Sequence, residues 1–212
     1  MIEHKTISLA DQVFDHLETD ILSGKYSRGD ILTECRLSAE LGVSRTPIRE
    51  ALRRLEQEHI IEETGKGSVV IGINEKDVED IFIIRRQLET LAAGLAAENC
   101  NDEDLAKLKE ALDLQEFYVN KCDAEQIKQM DNRFHYIVYK MSGSTVFNDI
   151  LVPLHKKIQK YRKIAVQSSG RAGASVAEHK KIFEAIATKD RKNAEKYALE
   201  HIENAYKVIK GR

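Results

Sequence analysis

Residues 41–56 read Leu-Gly-Val-Ser-Arg-Thr-Pro-Ile-Arg-Glu-Ala-Leu-Arg-Arg-Leu-Glu. Ser44 is a favourable N-cap residue, and Pro47 falls in the first helical turn, where its missing N–H costs nothing. The apolar residues Ile48, Ala51, Leu52 and Leu55 recur at the spacing of one helical face. The stretch therefore predicts a helix that begins just after Ser44 and buries one side.

A second face of this helix carries arginines. Arg45, Arg49 and Arg53 are four residues apart, so they line a face other than the apolar one. Residues 1–73 hold more acidic than basic side chains, whereas the segment 36–54 holds five arginines against two glutamates. A focused positive charge of this kind steers a protein to phosphate, and guanidinium groups suit guanine edges. The pattern predicts a DNA-recognition helix, although a solvated arginine face on an ordinary amphipathic helix would look the same.

The residues before this helix predict the rest of a helix-turn-helix. Ser8 can cap a first helix that ends at Gly24, and a link that turns at residues 28–30 follows. A short second helix over residues 34–41 is closed by Gly42, and its tight link to the next helix is the turn of the motif. Arg36, on the second helix, is expected within reach of the same groove.

The residues after it predict a wing. Two short β-branched runs, residues 60–63 and 68–72, flank Thr-Gly-Lys-Gly at 64–67, which is typical of a hairpin turn. Lys66, a basic residue between glycines, could approach a phosphate or the minor groove, although exposed hairpin lysines commonly have no function. We therefore expect residues 1–73 to form a winged helix-turn-helix domain.

From residue 74 the apolar pattern is wholly helical. Six helices are expected at about residues 75–98, 102–119, 123–141, 144–166 with an interruption or kink at Pro153, 174–188 and 190–209, and residues 168–173 are expected to be a flexible loop. Short links and the absence of strand patterns predict an antiparallel helical bundle over residues 74–212. The overall fold class is therefore mainly α.

Composition favours an intracellular protein. The sequence has 212 residues, 32% of them charged, with no apolar run approaching a membrane span and no signal-like start. The three cysteines, Cys35, Cys100 and Cys122, fit neither a disulfide framework nor paired metal spacing. We expect a cytoplasmic protein without a membrane partner.

The bundle contains a candidate metal site. Asp131 and His135 are four residues apart, so one carboxylate and one imidazole project from the same helical face. His179 and His201 lie on two later helices, and three helices converging in a bundle can supply four ligands to one point. Each histidine taken singly is more often an ordinary core or surface residue, which is how we interpret His4, His16, His59 and His155.

Residues 8–72 resemble the winged helix of the GntR family of bacterial transcription regulators. The segment Val-Ser-Arg-Thr-Pro-Ile-Arg-Glu-Ala-Leu at 43–52 carries the resemblance, together with Gly29, Gly65 and Gly67. The family implies a regulator that is not an enzyme, with direct contacts to operator DNA. By resemblance these contacts come from Arg36, Arg45 and Arg49, from Ser44 and Thr46 on phosphates, and from Lys66 or Gly67 at the wing tip.

The second domain resembles the helical effector-binding (FCD-type) domain of the FadR branch of that family. The matching segments are residues 85–93, 131–135, 178–179 and 198–202. In metal-containing members the equivalents of Asp131, His135, His179 and His201 bind a divalent cation. Three imidazoles and one carboxylate suit zinc, nickel or manganese.

The resemblance also implies a small organic acid as effector, bound beside the metal. Arg85 and Arg162 could form paired hydrogen bonds with its carboxylate, or could simply form surface salt bridges. One departure is Gly143-Ser144, where many relatives have Gly-Asn after the metal helix.

The leading functional hypothesis is a ligand-responsive regulator, most simply a repressor, that binds a palindromic operator as a homodimer. One alternative is a metal-dependent hydrolytic enzyme, since an Asp and three His around a metal with open positions could activate water. That alternative leaves the array of Arg36, Arg45 and Arg49 unexplained. The other is a DNA-binding protein that ignores small molecules, which would not need a polar quartet in its bundle.

Overall fold

The computed structural model describes residues 7–158, 161 and 170–211. The chain forms two compact units, Met1–Asn74 and Glu75–Arg212. The first combines helices with a small antiparallel sheet, and the described part of the second is helical. The expected mainly α fold class is confirmed.

The first unit contains the expected helix-turn-helix. Its elements are α1 (Leu9–Ser23), β1 (Ile31–Leu32), α2 (Glu34–Leu41), α3 (Arg45–Gln57), β2 (Ile61–Thr64) and β3 (Gly67–Val70). The Ser8 hydroxyl accepts a hydrogen bond from the backbone N–H of Asp11 at 3.1 Å and so caps α1. Gly42 ends α2 in the left-handed conformation, with φ of 68°. The short link that follows lets α3 start immediately.

The core of this unit is formed by the apolar faces of its helices. Leu17 of α1, Leu37 of α2, and Ile48 and Leu55 of α3 are fully buried in one cluster. Leu32 of β1 is buried in the same cluster and joins the sheet to the helices. This packing leaves the arginine face of α3 in solvent.

The sheet differs from the expected hairpin in two ways. Its strand order is β1-β3-β2, so β1 adds a third strand where the sequence predicted only a linking turn. The pairing of Ile31 with Val69 and Leu32 with Ser68 is non-local, which explains why a two-residue strand has no local signature. Thr64 and Gly67, expected in the turn, form the last pair of the β2–β3 ladder.

The second unit is a bundle of long helices. Its described helices are α4 (Glu75–Asn99), α5 (Asp102–Asn120), α6 (Ala124–Met141), α7 (Thr145–Lys157), α8 (Arg171–Ala187) and α9 (Arg191–Lys210). Side chains of Asn101, Asp123, Ser144 and Asp190 cap α5, α6, α7 and α9. Helix α4 packs along α9, and α5 packs along α6. None of the helices among the described residues is long and apolar enough to cross a membrane.

Two expected boundaries require correction. Helix α7 continues through Pro153 without interruption and ends at Lys157, and the part of the expected helix at 159–160 and 162–166 lies outside the described residues. Helix α8 begins at Arg171, so residues 171–173 are helical and not loop. Both terminal nitrogens of Arg171 bind the carboxylate of Glu178, two turns later, at 2.8 Å. This pair stabilises the first turns of α8.

Candidate nucleic-acid interface and metal centre

The DNA-contact residues expected on α3 lie on its exposed side. Arg45, Thr46 and Arg49 are exposed in the first two turns, with no acidic residue in the first turn. Ser44 occupies the N-cap position, but its hydroxyl accepts no capping hydrogen bond. The N-terminal end of a helix carries partial positive charge, so this surface favours anions.

The remaining candidates lie on the neighbouring elements of this unit. Arg36 is exposed on α2, and Lys66 is exposed between β2 and β3. Gly67 is half-buried in β3, where a Cβ atom would lie 2.8 Å from the carbonyl oxygen of Leu32. A glycine at 67 is therefore required by the close approach of β1, whatever its role toward DNA. Lys66, Gly67 and Arg49 line a groove between the wing and α3.

The structure brings the three candidate histidines of the bundle together. His135 comes from α6, His179 from α8 and His201 from α9, and all three are buried. One nitrogen from each lies within 4.8 Å of the nitrogens of the other two. Asp131, one turn before His135 on α6, places its Oδ1 atom 3.8 Å from Nε2 of His179. The three expected histidines therefore lie in one buried cluster, and the fourth expected ligand, Asp131, is buried beside it against His179.

The partners of the Nδ1 atoms define which histidine nitrogens face the cluster. Glu178 accepts a hydrogen bond from Nδ1 of His201 at 2.7 Å, because a carboxylate can only accept. Gln115 donates its amide to Asp131 at 3.1 Å, so its oxygen accepts from Nδ1 of His179 at 2.8 Å. Both rings thus carry a proton on Nδ1, so in their neutral form Nε2 is the nitrogen left to act as an electron-pair donor.

His135 completes the set of imidazole donors. Its Nε2 atom is buried and has no hydrogen-bond partner among the described residues, and its Nδ1 lies 3.8 Å from Glu89. Burial lowers the pKa of His135 to about 4, against a smaller opposing effect of the Glu89 carboxylate. The ring is therefore neutral at pH 7, as a ligand must be. A buried imidazole nitrogen without a partner, beside two others with fixed tautomers, fits a divalent cation.

Sequence reasoning missed the residues that orient this cluster. No recognisable sequence pattern links the histidines to Gln115, Glu178 or Glu89. His155, interpreted as an ordinary core or surface residue, is a hydrogen-bonded core residue of α7, and its ring centroid lies 4.8 Å from that of His135. Tyr139 and Asn132 contact its two ring nitrogens at 3.2 and 3.1 Å. Burial lowers the pKa of His155 well below its usual value.

Arg85, expected to bind an effector, is almost fully buried in α4. Its Nε and Nη2 atoms lie 2.5 and 3.2 Å from the two carboxylate oxygens of Glu89. Burial would raise the pKa of Glu89, but the surrounding charges and hydrogen bonds, led by the Arg85 guanidinium, together keep that pKa below its usual value. Only Nη1 of Arg85 lacks a hydrogen-bond partner among the described residues. Arg162 lies outside the part of the chain that the structure describes.

Both parts of the chain match known protein families. Residues 9–71 match the family described as bacterial regulatory proteins, gntR family, and residues 80–204 match the FCD domain. The chain belongs to the GntR family and carries an FCD domain. The resemblance of the N-terminal segment to GntR regulators is confirmed, and the protein is a DNA-binding transcription regulator.

Individual relatives agree with this assignment. An HTH-type transcriptional regulator of Bacillus subtilis, YdhC, is 28% identical over 94% of this chain and 90% of its own length. The gluconate operon transcriptional repressor of Bacillus licheniformis is 36% identical over 58% of this chain and 51% of its own. The solved structure of Escherichia coli McbR/YncC superimposes with a TM-score of 0.83 at 24% identity, covering 97% of this chain and 99% of that one. This likeness shows that the two chains share a fold.

Proposed function

We propose that this GntR regulator is a homodimeric repressor of the FadR branch, whose binding to a palindromic operator is modulated by a small carboxylate bound beside a divalent metal. Residues 1–73 read the operator, and residues 74–212 bind the metal and the effector and form the dimer. The observation that carries the proposal is the buried cluster of His135, His179 and His201, each with a ring nitrogen close to the other two.

The donor set supports a resident cation held by Asp131, His135, His179 and His201. Hydrogen bonds to Gln115 and Glu178 orient the rings of His179 and His201 as ligands. Three imidazoles and a carboxylate are borderline-soft donors, which suit zinc, nickel or manganese. When bound, the cation supplies a positive charge and open positions that attract an anionic oxygen donor.

Charge beside the cluster supports a small carboxylate effector, although little space is open there. A cavity of about 10 Å³ lies among His135, His201, Glu89 and Tyr139, which is room for one water at most. An effector that binds in this cavity would therefore displace side chains of α4, α6 or α9. Such repacking gives the effector different affinities for two arrangements of the bundle, which is the requirement for a ligand-driven switch. The Nη1 atom of Arg85 provides one donor for the carboxylate.

The enzyme alternative is weaker because the families that match this chain consist of transcription regulators. A DNA-binding protein that ignores small molecules is weaker because it would have no use for a buried, oriented triad of histidines. Hydrolytic activity that requires the metal and disappears in His201→Ala would favour the enzyme. Sedimentation of the full chain at micromolar concentration tests the homodimer, and a monomer that retains operator affinity would contradict it.

The DNA-reading part is tested with Arg45→Ala and Arg49→Ala. An operator is first selected from randomised duplex DNA with the wild-type chain, and affinities are then compared by gel shift. Loss of one bidentate base contact costs about 1 to 3 kcal/mol per half-site, so we expect at least a tenfold loss in a dimer. Arg191→Ala is the matched control, because Arg191 is an exposed arginine of the second unit. Unchanged affinity in both α3 variants would exclude α3 as the reader.

The metal part is tested by elemental analysis after metal loading and dialysis. Wild type should retain about one ion per chain, whereas His179→Ala and His201→Ala should lose it and should also lose the response to candidate acids in calorimetry. His16→Ala is the matched control, since His16 is an exposed histidine on α1. The metal site would be contradicted if wild type retained no metal, or if the affinity for an acid were unaffected by a chelator. The four residues would then be polar residues of the core.

A further inference from the structure

An ion pair connects the first turn of α2 to the exposed face of α3. Nε of Arg49 donates to Oε1 of Glu34 at 2.6 Å, and Nη2 donates to Oε2 at 2.8 Å. The Arg49 side chain is 68% exposed and that of Glu34 is 32% exposed. The two residues belong to different helices, so the pair fixes the guanidinium relative to both helices of the helix-turn-helix.

The geometry leaves one particular edge of the guanidinium available. Glu34 binds the side edge, formed by Nε and Nη2. A guanidinium is planar and has five N–H bonds, so Nη1 and the second N–H of Nη2 point away from Glu34. These two nitrogens form the end edge, which matches the two acceptors, O6 and N7, that guanine presents in the major groove.

Electrostatics favour a base over a phosphate as the target of this edge. The hydrogen bond from Arg49 keeps the pKa of Glu34 low, so the carboxylate is charged at neutral pH and offsets the arginine charge. An arginine whose charge is offset attracts phosphate weakly, whereas the strength of a directional pair of hydrogen bonds to a base depends less on that charge. Exposed ion pairs add little to folding stability, so stability alone is a poor reason for this arrangement.

We propose that Glu34 is a positioning residue that holds the Arg49 guanidinium end-on toward a guanine, and so sets the operator preference at one base pair of each half-site. The inference rests on the proposed function, because it requires α3 to lie in the major groove. It goes further by assigning Arg49 a base contact and by giving Glu34 a role in specificity without contact to DNA.

The test compares base preferences of full-length variants. Wild type, Glu34→Ala, Arg49→Ala and the double variant are each used to select sites from randomised duplex DNA, and affinities are then measured for single substitutions in the selected site. We expect Glu34→Ala and Arg49→Ala to lose at least about fivefold of the preference for guanine at the same position. The double variant should resemble Arg49→Ala alone, because Glu34 acts through Arg49.

Asp11→Ala is the matched control. Asp11 of α1 forms a similar ion pair with Arg54 of α3, with a distance of 2.7 Å between Oδ1 and Nη1. Removing it takes the same charge from the domain and breaks a comparable contact between helices, but leaves Arg49 untouched. Its base preferences should equal those of the wild type.

Three results would overturn the inference. In the first, Glu34→Ala retains the wild-type base preferences while Arg49→Ala loses them. In the second, the effect of Glu34→Ala persists in the Arg49→Ala background. In the third, Arg49→Ala weakens binding to all sequences equally, as loss of a phosphate contact does. If Arg45→Ala and Arg49→Ala both leave affinity and preference unchanged, the proposed reading surface itself fails. The two failures are therefore distinguishable.

Discussion

Acid should destabilise the metal-free protein between pH 6.5 and pH 4. His135 and His155 are buried and neutral, and burial lowers the pKa of His135 to about 4 and that of His155 well below its usual value. In the unfolded chain both imidazoles regain a pKa near 6.5. The unfolded state therefore binds more protons in this window, and the free energy of unfolding falls as the pH is lowered.

The size of the effect follows from the shift of His135. A difference of about 2.5 pKa units at about 1.36 kcal/mol per unit gives a loss of roughly 3 kcal/mol across the window. His155 adds a contribution of the same sign. The stability that the two neutral histidines contribute is fully present above pH 6.5 and disappears as the pH falls toward 4.

Urea denaturation with EDTA at several pH values measures this loss. Far-UV circular dichroism is the suitable signal, since the sequence has no tryptophan. The slope of the unfolding free energy against pH gives the number of protons taken up on unfolding. In His135→Gln this number should fall by close to one. His16→Gln, which replaces an exposed histidine of the first unit, is the matched substitution for comparison. Stability that is constant between pH 6.5 and 4.5, or a slope that His135→Gln does not alter, would refute the reasoning.

Three further predictions concern single side chains. Glu178→Gln removes the anionic acceptor at Nδ1 of His201 and should weaken metal affinity by about 10- to 100-fold in competition with a chromogenic chelator. Gly67→Ala should lower the free energy of unfolding by roughly 1 to 3 kcal/mol in thermal melts, because φ is 124° there and the new Cβ meets the Leu32 carbonyl; Gly65→Ala, with open space around it, is the control. Ser8→Ala should cost about 1 kcal/mol by removing the cap of α1, and an unchanged melting temperature would contradict this.

Local signals in the sequence were sufficient for most of the helices. Apolar periodicity, capping side chains and glycine C-caps act within a few residues, so α1, α2, α3, α5 and α6 begin and end close to where they were expected. The same signals missed β1, because Ile31 and Leu32 become a strand only by pairing with β3. They also placed the start of α8 too late, because the pair of Arg171 with Glu178 spans two turns.

For the candidate site too, the sequence predicted some features and the packing of the helices decided others. The i, i+4 spacing of Asp131 and His135 is a property of one helix, and the helical pattern together with the family resemblance added His179 and His201. The orientation of the rings was beyond the sequence, since it depends on Gln115 of α5 and Glu178 of α8. These two side chains meet the histidines only after the helices have packed.

The sequence by itself determined the fold class, the position of α3 with its arginine face, and the histidines of the candidate metal site, because these depend on local periodicity and on family-specific spacing. The tertiary structure alone decided which partners each polar group has. Arg49 and Arg85 both look like available guanidinium groups in the sequence, yet Glu34 holds the first at the surface and Glu89 holds the second in the core. Hydrogen bonds act over about 3 Å, so such assignments require the three-dimensional positions that packing creates.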